Sequence, residues 1–152
     1  MAAELSNLEQ IRIEKIHALR AEGVEPFPSR AERTHTAQAA IEAFETVEGD
    51  ENADSVIVTL TGRLRSMRPM GKITFAHIED GTGRVQLFLR LNDVGEEALQ
   101  FFSRNFDLGD FVQATGLMFR TRTGEATVRV EAFRMLAKAV TPLPAAKDEV
   151  VD

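Results

Sequence analysis

The feature that most constrains this chain is a change of hydrophobic period. Up to about residue 48, apolar residues recur every three to four positions; from Val56 onwards they alternate, residue by residue, along short runs. The first period buries one side of a helix, and the second buries one face of a strand. The sequence therefore reads as helices followed by a small β-structure.

Ser6 with Glu9 three residues on makes a capping box, and Leu8, Ile11, Ile16 and Leu19 follow at helical spacing as far as Gly23. This predicts an amphipathic helix over 6–22. The prolines of Glu25-Pro26-Phe27-Pro28 cannot continue it, because proline lacks an N–H and pushes its predecessor towards an extended shape. A second helix is expected over 36–48, and the acidic, turn-rich stretch 49–55 reads as a linker.

Five strand-like runs follow. In the first, Val56, Val58, Leu60 and Leu64 alternate with Ile57, Thr59, Thr61, Arg63 and Arg65, and Gly62 in mid-run suggests a bend or bulge. The second run is 72–79 and the third 84–91, joined by the tight turn Asp80-Gly81-Thr82-Gly83. A short helix is expected over 95–105, then strands over 111–120 and 125–136 around the turn Thr123-Gly124. Five strands with a helix between the third and fourth is the order of an OB-fold, a Greek-key barrel whose second and third strands form a binding face. The expected fold class is mainly β with flanking helices: a five-stranded OB barrel preceded by N-terminal α-helices.

The third strand is the most informative. Val85, Leu87, Leu89 and Leu91 make one apolar face, which leaves Arg84, Gln86, Phe88 and Arg90 on the other. An amide and an aromatic ring between arginines suit single-stranded bases, because rings stack on π surfaces and guanidinium groups meet phosphates and base oxygens. The second strand repeats the theme, with Ile73, Phe75 and His77 on one parity. Pattern alone leaves two readings open: Phe75 and Phe88 as stacking platforms, or as rings packed beneath a helix.

Charge and composition narrow the function classes. The net charge is -6, but residues 56–138 carry 12 Lys and Arg against 9 Asp and Glu, so the middle is mildly basic between acidic flanks. Phosphate binding should then be local, which favours a partner recognised through exposed bases. With no Cys, and with His17, His35 and His77 at no mutual metal-binding spacing, no metal site is expected. Glu79, Asp80 and Glu125 lie beside turns, where a turn-stabilising role is the ordinary one, and no phosphate-binding loop or nucleophile–base pair stands out. No run is apolar for the roughly 20 residues a membrane span needs, and the start lacks the pattern of a secretory signal, so a reducing cytoplasm is the expected location.

Several strings, in order, resemble the amino-terminal region of class II lysyl-tRNA synthetases. They are Leu19-Arg20-Ala21-Glu22-Gly23, Pro26-Phe27-Pro28, Arg33-Thr34-His35-Thr36, Gly62-Arg63, Arg68-Pro69-Met70-Gly71-Lys72 and Asp80-Gly81-Thr82-Gly83-Arg84-Val85-Gln86-Leu87. Asp107-Leu108-Gly109-Asp110, Thr121-Arg122-Thr123-Gly124-Glu125 and Pro142-Leu143-Pro144 complete the series. The resemblance implies a domain that binds the uridine-rich anticodon loop of tRNA-Lys. It implies Phe75 as the stacking platform, with Arg68, Gln86 and Glu125 reading base edges and His77 beside them. It further implies that Arg12, Lys15 and Arg20 on the first helix approach the tRNA backbone, against the alternative of a solvated helix face.

The domains expected on this basis are a helical extension and linker (1–55), the barrel (56–140) and a linker towards a catalytic domain (141–152). The tail after Pro144, Ala145 to Asp152, departs from the family's usual continuation, and the three class II motifs for ATP and lysine are not in the sequence. The chain is therefore expected to be an excised, non-catalytic anticodon-binding piece without its own cofactor, the ATP and Mg2+ belonging to the parent enzyme. Its expected partners are the tRNA-Lys anticodon stem-loop and that catalytic domain. The rival expectation is a protein-interaction module that supports a homodimer.

Overall fold

The computed structural model describes residues 6–27 and 31–140. Pro28 of the Pro-Phe-Pro element and the expected linker 141–152 lie outside those residues. Helices α1 (Asn7–Ala21) and α2 (Ala37–Val47) precede strands β1 (Ile57–Met70), β2 (Ile73–Glu79) and β3 (Arg84–Arg90). Two short helices, α3 (Leu91–Val94) and α4 (Glu96–Asn105), lead to β4 (Phe111–Arg120) and β5 (Ala126–Ala137). The strands close into a barrel in the order β1-β2-β3-β5-β4, which is the OB arrangement.

The helix ends follow the side chains that cap them. Ser6 Oγ accepts the Glu9 N–H at 3.1 Å, and Thr36 Oγ1 accepts that of Ala39 at 3.1 Å, each satisfying an amide that no helical carbonyl can reach. Both helices start within a residue of the positions expected from the sequence. Leu91 departs from its expected place on the third strand: it opens α3, and its N–H bonds to the Lys72 carbonyl at 2.9 Å.

Closure depends on β1 serving two neighbours. Residues 57–63 pair with β4 and residues 63–70 with β2, so Arg63 has partners on both sides, Glu79 and Phe111. The bulge expected around Gly62 falls instead between Leu64 and Ser66. Gly62 has a different task, since a Cβ there would lie 3.0 Å from the Glu79 carbonyl oxygen. A tighter crossing occurs at Gly116 on β4, where a Cβ would lie 2.0 Å from the Arg129 carbonyl oxygen. Only a residue without a side chain lets these strands approach so closely.

Inside the barrel the alternation is filled as the pattern requires. Val58, Leu60, Leu64, Ala76, Ile78, Val85, Leu87, Leu89, Val112, Ala114, Met118, Val128 and Val130 are buried. At one end α4 adds Leu99 and Phe102; Phe102 stacks on Phe106 at 4.8 Å and meets Phe133 edge-on at 5.3 Å. Each ring removed from water contributes about 1.5–3 kcal/mol. Neither Phe75 nor Phe88 belongs to this core.

A buried charge cluster ties α1 to the barrel. Lys138 Nζ, fully buried, lies 2.6 Å from Asp107 Oδ2 and 2.7 Å from Asp110 Oδ2. Lys15 Nζ reaches Asp107 Oδ1 at 2.9 Å, and Arg12 Nη1 donates to the Ala139 carbonyl at 3.4 Å. Burial pushes the Asp110 carboxyl above its usual range, even with Lys138 beside it. Burial also opposes the charge on Asp107, but bonds from Lys138 and Lys15 outweigh it and hold that carboxyl low. Backbone N–H groups of Asp107 and Ala139 complete Asp110's bonding, which a buried carboxylate requires.

Helix α2 braces two turns. At its start, Asp80 accepts the Ala37 N–H at 2.8 Å and, within its own turn, those of Thr82 at 2.7 Å and Gly83 at 3.1 Å. Past its end, Glu48 accepts from Arg120, whose Nη1 also donates to the Gly124 carbonyl at 2.8 Å in the β4–β5 turn. None of the described helices is long and apolar enough to cross a membrane.

Two stability predictions follow from this geometry. Gly116→Ala should cost about 3 kcal/mol or more, because the backbones must separate, whereas Gly81→Ala in open space should cost under about 1 kcal/mol; equal urea midpoints for the two would refute the steric account. Burial opposes the Asp80 charge, but its hydrogen bonds prevail and lower its pKa. It therefore contributes stability above the carboxylate's unfolded pKa that is lost as pH falls through the lowered folded value. Asp80→Asn should lower the melting temperature at neutral pH and narrow its difference from wild type on acidification, as read by melting curves from pH 7 to pH 2.

Candidate nucleic-acid interface

The outward side chains of neighbouring strands line up because the register of each pair is fixed by closure. One row runs Arg68 on β1, Phe75 on β2, Phe88 on β3 and Arg129 on β5. The next runs Ser66, His77, Gln86, Thr127 and, on β4, Phe119. Five residues singled out in the sequence, Arg68, Phe75, His77, Gln86 and Glu125, thus stand on or beside one patch of the barrel's outer face.

The centre of the patch is aromatic. The Phe75 and Phe88 rings are 5.2 Å apart and inclined at 43°, and Phe119 meets Phe88 edge-on at 5.7 Å. Thr127 is small and buried on β5 between them, which lets the Phe119 ring reach across that strand. Phe75 and Phe88 are half-buried and lie on the face opposite the core. A half-exposed ring held by ring neighbours keeps a π surface for a base without a rotamer search on binding. Arg68 is exposed at the end of the row.

The polar row is more constrained than the sequence suggested. Gln86 points to the outer face yet is only 4% exposed, and its Nε2 donates to Thr127 Oγ1 at 3.1 Å. Its side chain is covered because β3 is flanked on both sides, by His77 of β2 and Thr127 of β5. The amide nitrogen carries two hydrogens, so one donor remains after the Thr127 bond.

His77 sits between Ser66 and Glu125. Ser66 Oγ is 2.7 Å from His77 Nδ1, and His77 Nε2 is 2.6 Å from Glu125 Oε1. An ionised carboxylate only accepts, so Nε2 carries the proton whether or not the ring is charged. Glu125 itself belongs to the turn that closes on Thr121, its N–H donating to Thr121 Oγ1 at 3.2 Å. The carboxylate is thereby fixed from two directions, by its turn and by the histidine, and is still 43% exposed.

The three basic residues of α1 divide. Arg12 is buried and Lys15 is bonded to Asp107, both within the charge cluster that holds the helix to the barrel. Arg20 is exposed, 3.6 Å from Glu25 and over the Phe27 ring. The first two therefore have an internal electrostatic task that helical spacing could not reveal. Four residues of the patch were not singled out from sequence: Ser66, Phe119, Thr127 and Arg129. Phe119 could have been found from strand parity; the other three become neighbours only through a bulge or through the parallel β3–β5 pairing.

If this relay holds Glu125, His77→Ala should leave Glu125 free to sample other rotamers, while Ser66→Ala should loosen the imidazole. The expected readings are an Nε2-bound proton in the 15N spectrum of the wild-type histidine and a broadened Glu125 side-chain signal in either variant. An Nδ1-only tautomer would contradict the arrangement.

The profile of the family described as OB-fold nucleic acid binding domain, of the tRNA anticodon type, matches residues 58–136. Among curated proteins, the lysine–tRNA ligase of Pelotomaculum thermopropionicum is 45% identical over 141 residues, covering 93% of this chain and 26% of that protein. Those of Chloroflexus aurantiacus and Bacillus subtilis are 45% and 39% identical over 142 residues, each covering 93% of this chain and 28% of theirs. The chain thus spans about a quarter of the length of these relatives. It belongs to the OB-fold nucleic acid binding family of tRNA anticodon domains and is homologous to the anticodon-binding part of lysine–tRNA ligases.

Proposed function

We propose that this anticodon-binding domain reads the uridine-rich anticodon of tRNA-Lys, by stacking one base on Phe75 and testing its edge with Arg68, Gln86 and Glu125. The observation that carries the reading is the convergence of these four side chains around one half-exposed aromatic pair. Uracil presents an acceptor, a donor and an acceptor on its pairing edge. Arg68 and the second Gln86 N–H supply donors to its oxygens, and the Glu125 carboxylate, which has lone pairs left after the His77 bond, accepts from the ring N–H. Cytosine lacks that N–H and would leave the carboxylate facing another acceptor. An unpaired buried polar group costs about 1–3 kcal/mol, comparable to stacking one base, so edge and platform contribute to a similar degree.

In this reading the chain works in the cytoplasm beside a catalytic domain that binds ATP, Mg2+ and lysine. Activation of lysine belongs to that domain; the barrel supplies tRNA choice. Arg20, the exposed member of the α1 set, is the one proposed to approach the tRNA backbone. A second reading, in which the barrel is an assembly surface, has one observation in its favour: Leu8 and Ile11 of α1 are 44% and 47% exposed. Sedimentation at several concentrations, with and without RNA, separates it from the first.

Phe75→Ala should weaken binding of a dye-labelled anticodon stem-loop by about 1–3 kcal/mol, roughly 5- to 150-fold. Because Phe75 lies off the core, the loss of stability should stay near the value of one aromatic pair, about 0.5–1.5 kcal/mol, rather than the 3–5 kcal/mol of a core phenylalanine. Anisotropy titrations with uridine or cytosine at the middle anticodon position, alongside urea melts, give both numbers; undiminished binding by the variant, or equal binding of both loops by wild type, would defeat the assignment.

A further inference from the structure

The row that carries the aromatic pair ends in Arg129, directly across the parallel β3–β5 ladder from Phe88. Arg129 shares one carboxylate with a second guanidinium. Arg90 grips Asp93 with two bonds, Nε to Oδ2 and Nη2 to Oδ1, both at 3.0 Å. Arg129 Nε stands 4.0 Å from Asp93 Oδ1, and it is buried with no hydrogen-bond partner among the described residues. Asp93 is only 13% exposed, while the Arg90 and Arg129 side chains are 41% and 38% exposed.

This is an uneven arrangement of charge. A bidentate fork satisfies a carboxylate in geometry as well as in charge, so Asp93 is largely taken by Arg90. Asp93 then acts on Arg129 chiefly as an orienting charge, leaving one positive charge in surplus and most guanidinium donors open to an outside acceptor. That surplus lies beside the stacking rings, in a protein whose net charge is -6. A chain that repels polyanions at long range needs fixed, local cations for any contact with the backbone of a stacked strand. A small, oriented guanidinium at the edge of a π platform meets that need.

We propose that Arg129, oriented by Asp93 and backed by Arg90, is a phosphate-binding site for the RNA strand whose base stacks on Phe75. The ligand is a backbone phosphodiester, recognised by charge and fork geometry without regard to base. The inference rests on the anticodon-reading proposal and deepens it: Phe75 stacks the base, Arg68, Gln86 and Glu125 choose it, and Arg129 holds the strand in register.

The test measures stem-loop affinity by anisotropy across a series of salt concentrations, for wild type, Arg129→Gln, Arg129→Lys and Phe75→Ala. Arg129→Gln should weaken the uridine and cytosine loops by the same factor, about tenfold at low salt. It should also reduce the slope of log K against log salt by about 0.7, the value of one phosphate contact on a single strand. Arg129→Lys keeps the charge without the fork, so it should keep the slope and recover part of the affinity. Phe75→Ala should lower affinity with the slope unchanged. An unaltered slope in Arg129→Gln, with only a lower melting temperature, would make Arg129 a structural staple and overturn the proposal. A loss confined to one of the two loops would make it a base reader and also overturn it. If wild type binds neither loop, the anticodon reading fails as well.

Discussion

The double pairing of β1 is the constraint on which the rest of this structure depends. A five-stranded sheet becomes a barrel only if one strand serves both edges, and β1 does so by switching partners at Arg63. The switch is sterically possible because Gly62 adds nothing where the Glu79 backbone passes, and the bulge after Leu64 shifts the alternation by one residue, so that Met67 packs on the core while Ser66 and Arg68 join the outer rows. Gly116 solves the same problem on the neighbouring strand β4, where it crosses β5. Once the ring is closed, every register is fixed, since a slip of one residue would turn the core face outwards. The rows of the outer face are a by-product of that fixed register.

Outer-face residues and core residues are thereby separated by a strand's thickness. Ala76 and Ile78 fill the barrel while Phe75 and His77, their immediate neighbours in sequence, stand outside. The outer face is still not loose. Helix α2 braces the β2–β3 turn through Asp80 and the β4–β5 turn through Glu48 and Arg120, so the two turns that flank the patch are tied to one rigid rod. Glu125 inherits its place from the second of these turns and from His77. Such pre-organisation would spare the proposed RNA complex the entropy of ordering loops and rotamers, which would otherwise be subtracted from affinity.

Charge is distributed in the same economical way. The protein is acidic overall, and much of its positive charge is spent internally: Lys138, Lys15 and Arg12 around Asp107 and Asp110, and Arg120 on Glu48. The patch keeps Arg68 at one end of its aromatic row and Arg129 at the other. On the proposed reading, attraction is concentrated where the RNA strand would lie, and the acidic remaining surface disfavours non-specific binding to other polyanions.

The sequence by itself determined the elements and their faces. Period, caps and turn glycines set both N-terminal helices and the last four strands to within a few residues, because these signals act over neighbours in the chain, whereas β1 runs on from Arg65, where the alternation ends, to Met70. Parity alone grouped Phe75 with His77, and Arg84 with Gln86 and Phe88, and left open whether those faces lie bare or beneath a helix. The tertiary structure decided which of these side chains meet. Gln86 bonds Thr127 from 41 residues away, His77 reaches Glu125 across 48, and Lys15 pairs with Asp107 across 92. Such pairs depend on strand order and register, above all on the parallel contact of β3 with β5, and these are fixed by closure of the barrel as a whole. The same reason explains Arg12 and Lys15: their helical spacing marked a basic face, but only the packing of α1 on the barrel showed that the face turns inward onto buried carboxylates.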